Sequence, residues 1–375
     1  MNIKTYLFTD NKWNSTLDGS LDSEKTLIIV FGSTDILSVQ VGIDDLLKTY
    51  TKSTIIGCST SGEIYNNEVY DDSLSVAVVR FNKSSFKLIV KDVKENESFE
   101  VGKSIVDELN TDNLKSIFLL CDALSVDGSE LSKGLNKTIP EDCAITGGLA
   151  GDGVEFNKTW IIVGGSVVKK HISAIGLYGE SLRIRNGCKC GWSRFGLERK
   201  ITSVKGNVLY TLDNKPALEL YKRYLGDYAS ELPASALHFP LMLLNGDKEP
   251  KFRAIKAVDE ESSSITITGS IEANSMVSFA KANFDELIDG AQEAAEALLT
   301  GHTNDKSALC LVVSCIARRH VLNQNVEDEL EAVVDTLGDN VSTIGFYSFG
   351  EFSKSEIGCC DFHNQSMALT MIYET

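Results

Sequence analysis

Three glycine-bearing turns carry most of the chemistry this chain could do. Residues 55–64 read IIGCSTSGEI: an apolar run gives way to Gly57, Cys58, Ser59, Thr60, Ser61 and Gly62, and Glu63 follows. Residues 343–352 read TIGFYSFGEF, and laying one stretch over the other puts Gly57 on Gly345, Gly62 on Gly350 and Glu63 on Glu351. AITGGLAGDG, residues 144–153, is a middle copy with Gly147, Gly148, Gly151 and Asp152. Glycine lets a ligand or a second backbone come close. Small hydroxyls and N–H groups at a strand end can then hold a carboxylate, a phosphate or a polar head group. In α/β sheets such ligands sit outside the carboxyl ends of the strands. The turns therefore define a candidate ligand-binding wall. Residues 58–63 form one part, 147–152 a second, and Tyr347, Ser348, Gly350 and Glu351 a third. Either glutamate could meet an amine, or simply close its turn through backbone N–H groups. No turn ends in the Gly-Lys-Ser/Thr of a phosphate loop, and GGLAGDG lacks the downstream context of a dinucleotide fingerprint.

Other side chains offer metal, haem and thiol chemistry. The histidines are His171, His238, His302, His320 and His363. His363, with Asn364 and Gln365 behind it, stands just before a strand-like run and joins the candidate site. Its imidazole could ligate haem iron or hydrogen-bond a turn. There is no Cys-x-x-Cys-His motif, so a haem b would be held without covalent attachment. Cys188/Cys190 and Cys359/Cys360 could converge on zinc or an iron–sulfur cluster, but Cys-x-Cys plus Cys-Cys is not a standard spacing. Cys58 could serve as the nucleophile of a thiol enzyme, which needs a base within reach. No histidine is close in sequence, so His363 would have to arrive through the fold. Arg318, beside Arg319, could grip a ligand carboxylate with two donors or make a salt bridge.

The elements that must position these residues repeat. A buried strand at 26–33, a helix over 41–51 and the first turn lead to strands at 72–81 and 85–93, expected to pair with each other. An amphipathic stretch at 98–110 precedes the second pass: a strand at 116–122, a helix at 129–139, the middle turn, and a strand pair at 159–168 and 172–179. In the third, a helix at 283–299 leads to a strand at 308–315, a helix at 326–337, the last turn and a strand at 364–374. Residues 190–214 read as a β-hairpin around Gly206 and Asn207, and 215–225 as a short helix with Pro216 near its first turn. Repeated strand–helix–strand units of this kind predict an α/β protein, with mixed sheets and helices packed on them. A boundary near residue 213 gives two domains, 1–212 and 213–375.

The bulk composition narrows the function classes. The 375 residues suggest two domains or a duplicated one. A formal net charge of −17 argues against a nucleic-acid surface. The longest apolar runs are strand-length, well short of a membrane span, and the first residues do not read as an export signal. Nine cysteines, several inside apolar runs, read as reduced and mostly buried thiols. A cytoplasmic protein is expected.

GCSTSGEI, GGLAGDG and CGWSRFG, with ITSVKGNVLYTLDNKPALELYKRYLG after them, resemble the amino-terminal domain of the FIST family running into its carboxy-terminal one. SCIARR (314–319), IGFYSFGEF and HNQSMALTMIYE (363–374) resemble the end of the second. The resemblance covers nearly the whole chain. It implies a sensory input protein, not an enzyme, that binds a small ligand, with amino acids among those suggested. A partner such as a histidine kinase or a cyclic-di-GMP enzyme would follow, because the chain carries no output motif of its own. Homo-oligomerisation is left open. One subgroup implies haem and nitric oxide sensing. Many relatives have His-Gly-Trp where this chain has Cys190-Gly191-Trp192, so that histidine's role would need Cys190 to replace it.

Overall fold

The structure, a computed structural model, describes residues 1–245, 248–300, 306–354 and 359–375; His302 falls outside them. Each repeat begins with a strand buried along its whole length or, for the second, at every residue but Lys115: Thr26–Gly32, Leu114–Cys121 and Ala308–Cys315. Such runs are apolar without alternation because both faces are covered. Helices return the chain to a parallel neighbour, Thr54–Ser59, Ala144–Leu149 or Val341–Ser348. Asp35 starts the first helix, Ile36–Thr49, by accepting the Leu37 N–H, and Asp127 starts the second, Gly128–Leu135, by accepting that of Glu130. The third repeat uses two helices, Ile316–Leu322 and Val326–Leu337. Each turn then enters a short hairpin, and a return strand runs antiparallel to the leading strand: Leu74–Arg80, His171–Tyr178 and Met367–Glu374.

The repeats exchange strands in a cyclic way. The hairpin of the first repeat, Glu63–Tyr65 with Glu68–Tyr70, extends the sheet of the third. That of the second, Ile161–Val163 with Ser166–Val168, extends the first, and that of the third, Glu351–Lys354 with Cys360–His363, extends the second. The far edges are also traded. Ser85–Asp92 joins the second sheet, Leu182–Lys189 the third, and Asn2–Thr9 takes the matching place in the first. The result is three sheets of the same order around a pseudo-threefold axis.

This exchange overturns two expected pairings. The strand Ser85–Asp92 does not pair with Leu74–Arg80 but with His171–Tyr178, and Ile161–Val163 pairs with Thr54–Ser59 instead of with His171–Tyr178. The connection after the first return strand is held from the far end of the chain instead of closing a hairpin. Asn82, Lys83 and Ser84 all donate to the carboxylate of Glu374, at 3.0, 2.9 and 2.7 Å.

Glycine at one strand position makes the sheets possible. A Cβ on Gly57, Gly147 or Gly345 would stand 2.4, 2.0 and 2.2 Å from the carbonyl oxygens of Val30, Leu119 and Val312. The inner faces meet in one core containing Phe31, Phe118, Leu311 and Phe346, with the rings of Phe31 and Phe346 4.6 Å apart. Between Leu182–Lys189 and the helix Phe284–Leu299 the chain builds an eight-stranded sheet, running from Trp192 to Ala282, around its own core of Ile201, Leu209, Tyr221 and Phe279. The expected hairpin is there: Trp192–Lys205 turns at Gly206 and Asn207 into Val208–Leu212. The helix Ala217–Leu225 follows, with Pro216 at its cap. The fold class is therefore α/β, with helices packed on mixed sheets.

Candidate ligand-binding site

The three turns meet at the axis, and what they touch first is one another. Ser61 N–H donates to Tyr347 O (2.8 Å), Tyr347 N–H to Gly62 O (2.9 Å), Gly151 N–H to Ser59 O (2.9 Å) and Leu149 N–H to Gly350 O (2.9 Å). A Cβ on Gly151 would lie 2.7 Å from Ser61 N, and one on Gly148 would lie 2.6 Å from Val313. Here the glycines admit neighbouring chain. Cys58, Ser59, Thr60, Ser61, Glu63, Tyr347, Ser348 and Glu351 are all buried.

The two glutamates do the same job. Glu63 accepts from the hydroxyl of Thr60 and from both the N–H (3.1 Å) and hydroxyl (2.7 Å) of Ser73. Glu351 accepts from the hydroxyl of Ser348 (2.7 Å) and from the N–H (3.3 Å) and hydroxyl (2.8 Å) of Ser366. Burial outweighs these donors and raises both carboxyls to about 8. The matching position of the middle repeat is Gly153, and there Asp122 supplies the carboxylate, accepting from Lys170 N–H. Each glutamate fixes its turn.

The remaining expected residues divide. Asp152 accepts the N–H groups of Phe156, Asn157 and Lys158 at 2.8, 2.6 and 2.7 Å, holding a loop in which Phe156 takes a φ of 54°. Arg318 gives its donors to Glu329, Leu287 O and Cys190 O. Arg319 bonds Ser61 O and Asp71, and lies over the Tyr347 ring. Gln365 is fully buried at a φ of 67°. Its carbonyl takes the Trp192 indole N–H at 2.7 Å, while both ends of its amide lack a partner among the described residues. Asn364 accepts from Thr268 (2.8 Å) and lines a pocket.

That pocket has a volume of about 840 Å³. It lies just past the carboxyl ends of the parallel strands Ala308–Cys315 and Val341–Ser348, lined by Cys315, Ile316, Ala317 and Phe349. Ligands of α/β proteins bind at such ends. Its other wall comes from the eight-stranded unit and its connections, with His238, Phe239, Lys256, Thr268 and Lys281, and the loop of Asp152 adds Val154 and Phe156. Partial burial pushes the imidazoles of His238 and His320 below their ordinary value, and Arg319 and His238 push His320 the same way. His238, His320, Lys256, Lys281 and Phe156 were not expected from the sequence. They come from separate segments with no common spacing.

The FIST N domain family model matches residues 26–215, and the FIST C domain model matches 217–354. The chain belongs to the FIST family. FIST domains are associated with sensory signalling, and theirs is a sensory family, not an enzyme family. An uncharacterized protein of Methanocaldococcus jannaschii is 30% identical over 199 residues, a stretch that covers 48% of this chain. The match spans 36% of that relative's length. Among the described residues no helix is long and apolar enough to cross a membrane.

In this FIST protein Cys58 is fully buried, and burial, then Cys121 and Glu63, raise its thiol well above the ordinary value. That removes the thiolate a nucleophile needs. Iodoacetamide near neutral pH is therefore expected to modify exposed Cys359 while sparing Cys58, Cys121, Cys310 and Cys315 until the chain unfolds. Peptide mass spectrometry reads this directly, and rapid native labelling of Cys58 would restore the thiol-enzyme reading.

His363 lines a second cavity, of about 1160 Å³, with Cys188 and Cys190. Glu286, Asp289, Glu293, Asp361, Arg185 and Lys251 also line it. Such charges are costly against the apolar face of a macrocycle, so these residues do not fit a haem. Among the described residues no group of three or more His, Cys, Asp or Glu is placed to hold a metal ion.

Proposed function

We propose that this protein is a cytoplasmic sensor that binds a small molecule in the 840 Å³ pocket. It passes the signal to a partner such as a histidine kinase or a cyclic-di-GMP enzyme. One observation carries this reading: the pocket's two walls belong to different parts of the fold, the threefold core and the eight-stranded unit. Polar ties between those parts cluster on residues 361–365, with others from Ser270 N–H to Ser129 (3.0 Å) and from Ser193 to Glu286. Arg253 donates to Phe362 O (3.1 Å), Thr268 to Asn364 and Trp192 to Gln365 O. A ligand touching both walls favours the arrangement it binds better, which is how occupancy becomes a signal. Asn364 binds directly in this reading, while Asp152 acts by holding Phe156 at the rim.

A thermal-shift screen of small metabolites followed by hydrogen exchange tests the proposal. A stabilising compound is expected to slow exchange in residues 228–239 and 315–322, and Phe156→Ala is expected to lower its affinity. Protection confined to other segments would overturn the pocket as the sensory site.

A further inference from the structure

The surroundings of the pocket narrow what it takes. Ten large apolar side chains are exposed among the described residues, and four of them, Val154, Phe156, Tyr228 and Phe284, rim this one pocket. Apolar exposure concentrated in this way marks a binding surface. Phe156 and Phe349 stack face to face with centroids 4.1 Å apart and planes 14° apart, an aromatic stack whose exposed member is Phe156. Lys256 Nζ stands 5.7 Å from the centroid of Phe156.

Charge points the same way. Glu231 is the one carboxylate among the described lining residues, against Lys256, Lys281 and two histidines. Neither lysine has a carboxylate partner among the described residues, although the chain carries a formal net charge of −17. Lys281 Nζ likewise lies over an aromatic ring, that of Phe195, at 5.6 Å. Ammonium groups with ring contacts but no carboxylate partner, beside aromatic side chains, suit an anion that carries a ring.

We propose that the pocket binds an aromatic carboxylate, its ring against Phe156 and Phe349 and its carboxylate held by Lys256 and Lys281. This rests on the reading of the pocket as the sensory site. An α-amino acid fits less well, because Glu231 is the one carboxylate among the described lining residues that could meet its ammonium, against two lysines.

Isothermal titration with 3-phenylpropionate, indole-3-acetate and phenethylamine tests the assignment on the full chain. Both carboxylates are expected to bind and the amine is not. Lys256→Met and Lys281→Met, both at exposed positions, should each weaken binding about tenfold. Carboxylate affinity unchanged in the Lys256→Met/Lys281→Met variant would overturn the proposal. Binding of the amine but of neither carboxylate, with hydrogen-exchange protection of the pocket, would overturn the ligand class and leave the sensory reading standing. If neither these compounds nor any stabilising metabolite protects the pocket, both readings fall.

Discussion

Arg318→Ala is expected to destabilise the protein by about 3–5 kcal/mol, the cost of leaving one half of a buried ion pair alone. Arg318 and Glu329 are both fully buried, with Nη2 and Nε at 2.8 and 2.9 Å from the same carboxylate oxygen. The guanidinium also donates to Leu287 O at 2.7 Å and to Cys190 O, and Glu329 accepts from Tyr347 at 2.9 Å. One side chain thus ties the helix Phe284–Leu299, the entry to the eight-stranded unit, the helix Val326–Leu337 and the third turn. Removing it leaves a buried carboxylate without its cation and takes a donor from each of two carbonyls. Arg318→Met combined with Glu329→Met removes both charges, and should recover part of the loss. Calorimetry of the two single variants and the double one measures this. A melting temperature for Arg318→Ala close to that of the parent would refute it. Arg318 could be read from the sequence as a carboxylate-binding residue, and it is one, but the carboxylate is internal.

Legibility followed a physical divide. Strands such as Thr26–Gly32 and Ala308–Cys315 could be read because burial on both faces writes an unbroken apolar run. The repeat could be read because Gly57, Gly147 and Gly345 face the same steric demand from a neighbouring carbonyl. Strand partners could not: alternation sets which face of Ser85–Asp92 is buried, not which neighbour it takes. Its actual partner is His171–Tyr178, and the connection before it is held by Glu374, some 290 residues away. The pocket is harder still. Phe156, His238, Lys256 and His320 meet through the packing of one unit on another, so no local spacing announces them. Asp152 stood out as a turn residue, but its hold on the loop that presents Phe156 exists only in the folded chain.

The Glu63→Gln/Glu351→Gln variant is expected to lose most of the fall in melting temperature that the parent shows between about pH 5.5 and about pH 8.5. Burial raises both carboxyls from an ordinary 4.5 to about 8 in the folded chain. Between those values the folded state holds protons that the unfolded chain has released. Stability is therefore greatest on the acid side of the window and declines as pH climbs through it, by on the order of a few kcal/mol per glutamate. Glutamine keeps the shape, still accepts from Ser73 or Ser366, and cannot ionise. The variant should overtake the parent above about pH 8, where both carboxylates would be charged and buried. Parallel melting curves across the window would show that neither group titrates there. The middle repeat explains why the fold accepts this cost. The N–H before each return strand, at Ser73, Lys170 and Ser366, meets a carboxyl group every time, from the turn or from Asp122, and at Ser73 and Ser366 it does so in the buried centre. In this chain Glu63 and Glu351 are acceptors built into the junction of the three sheets.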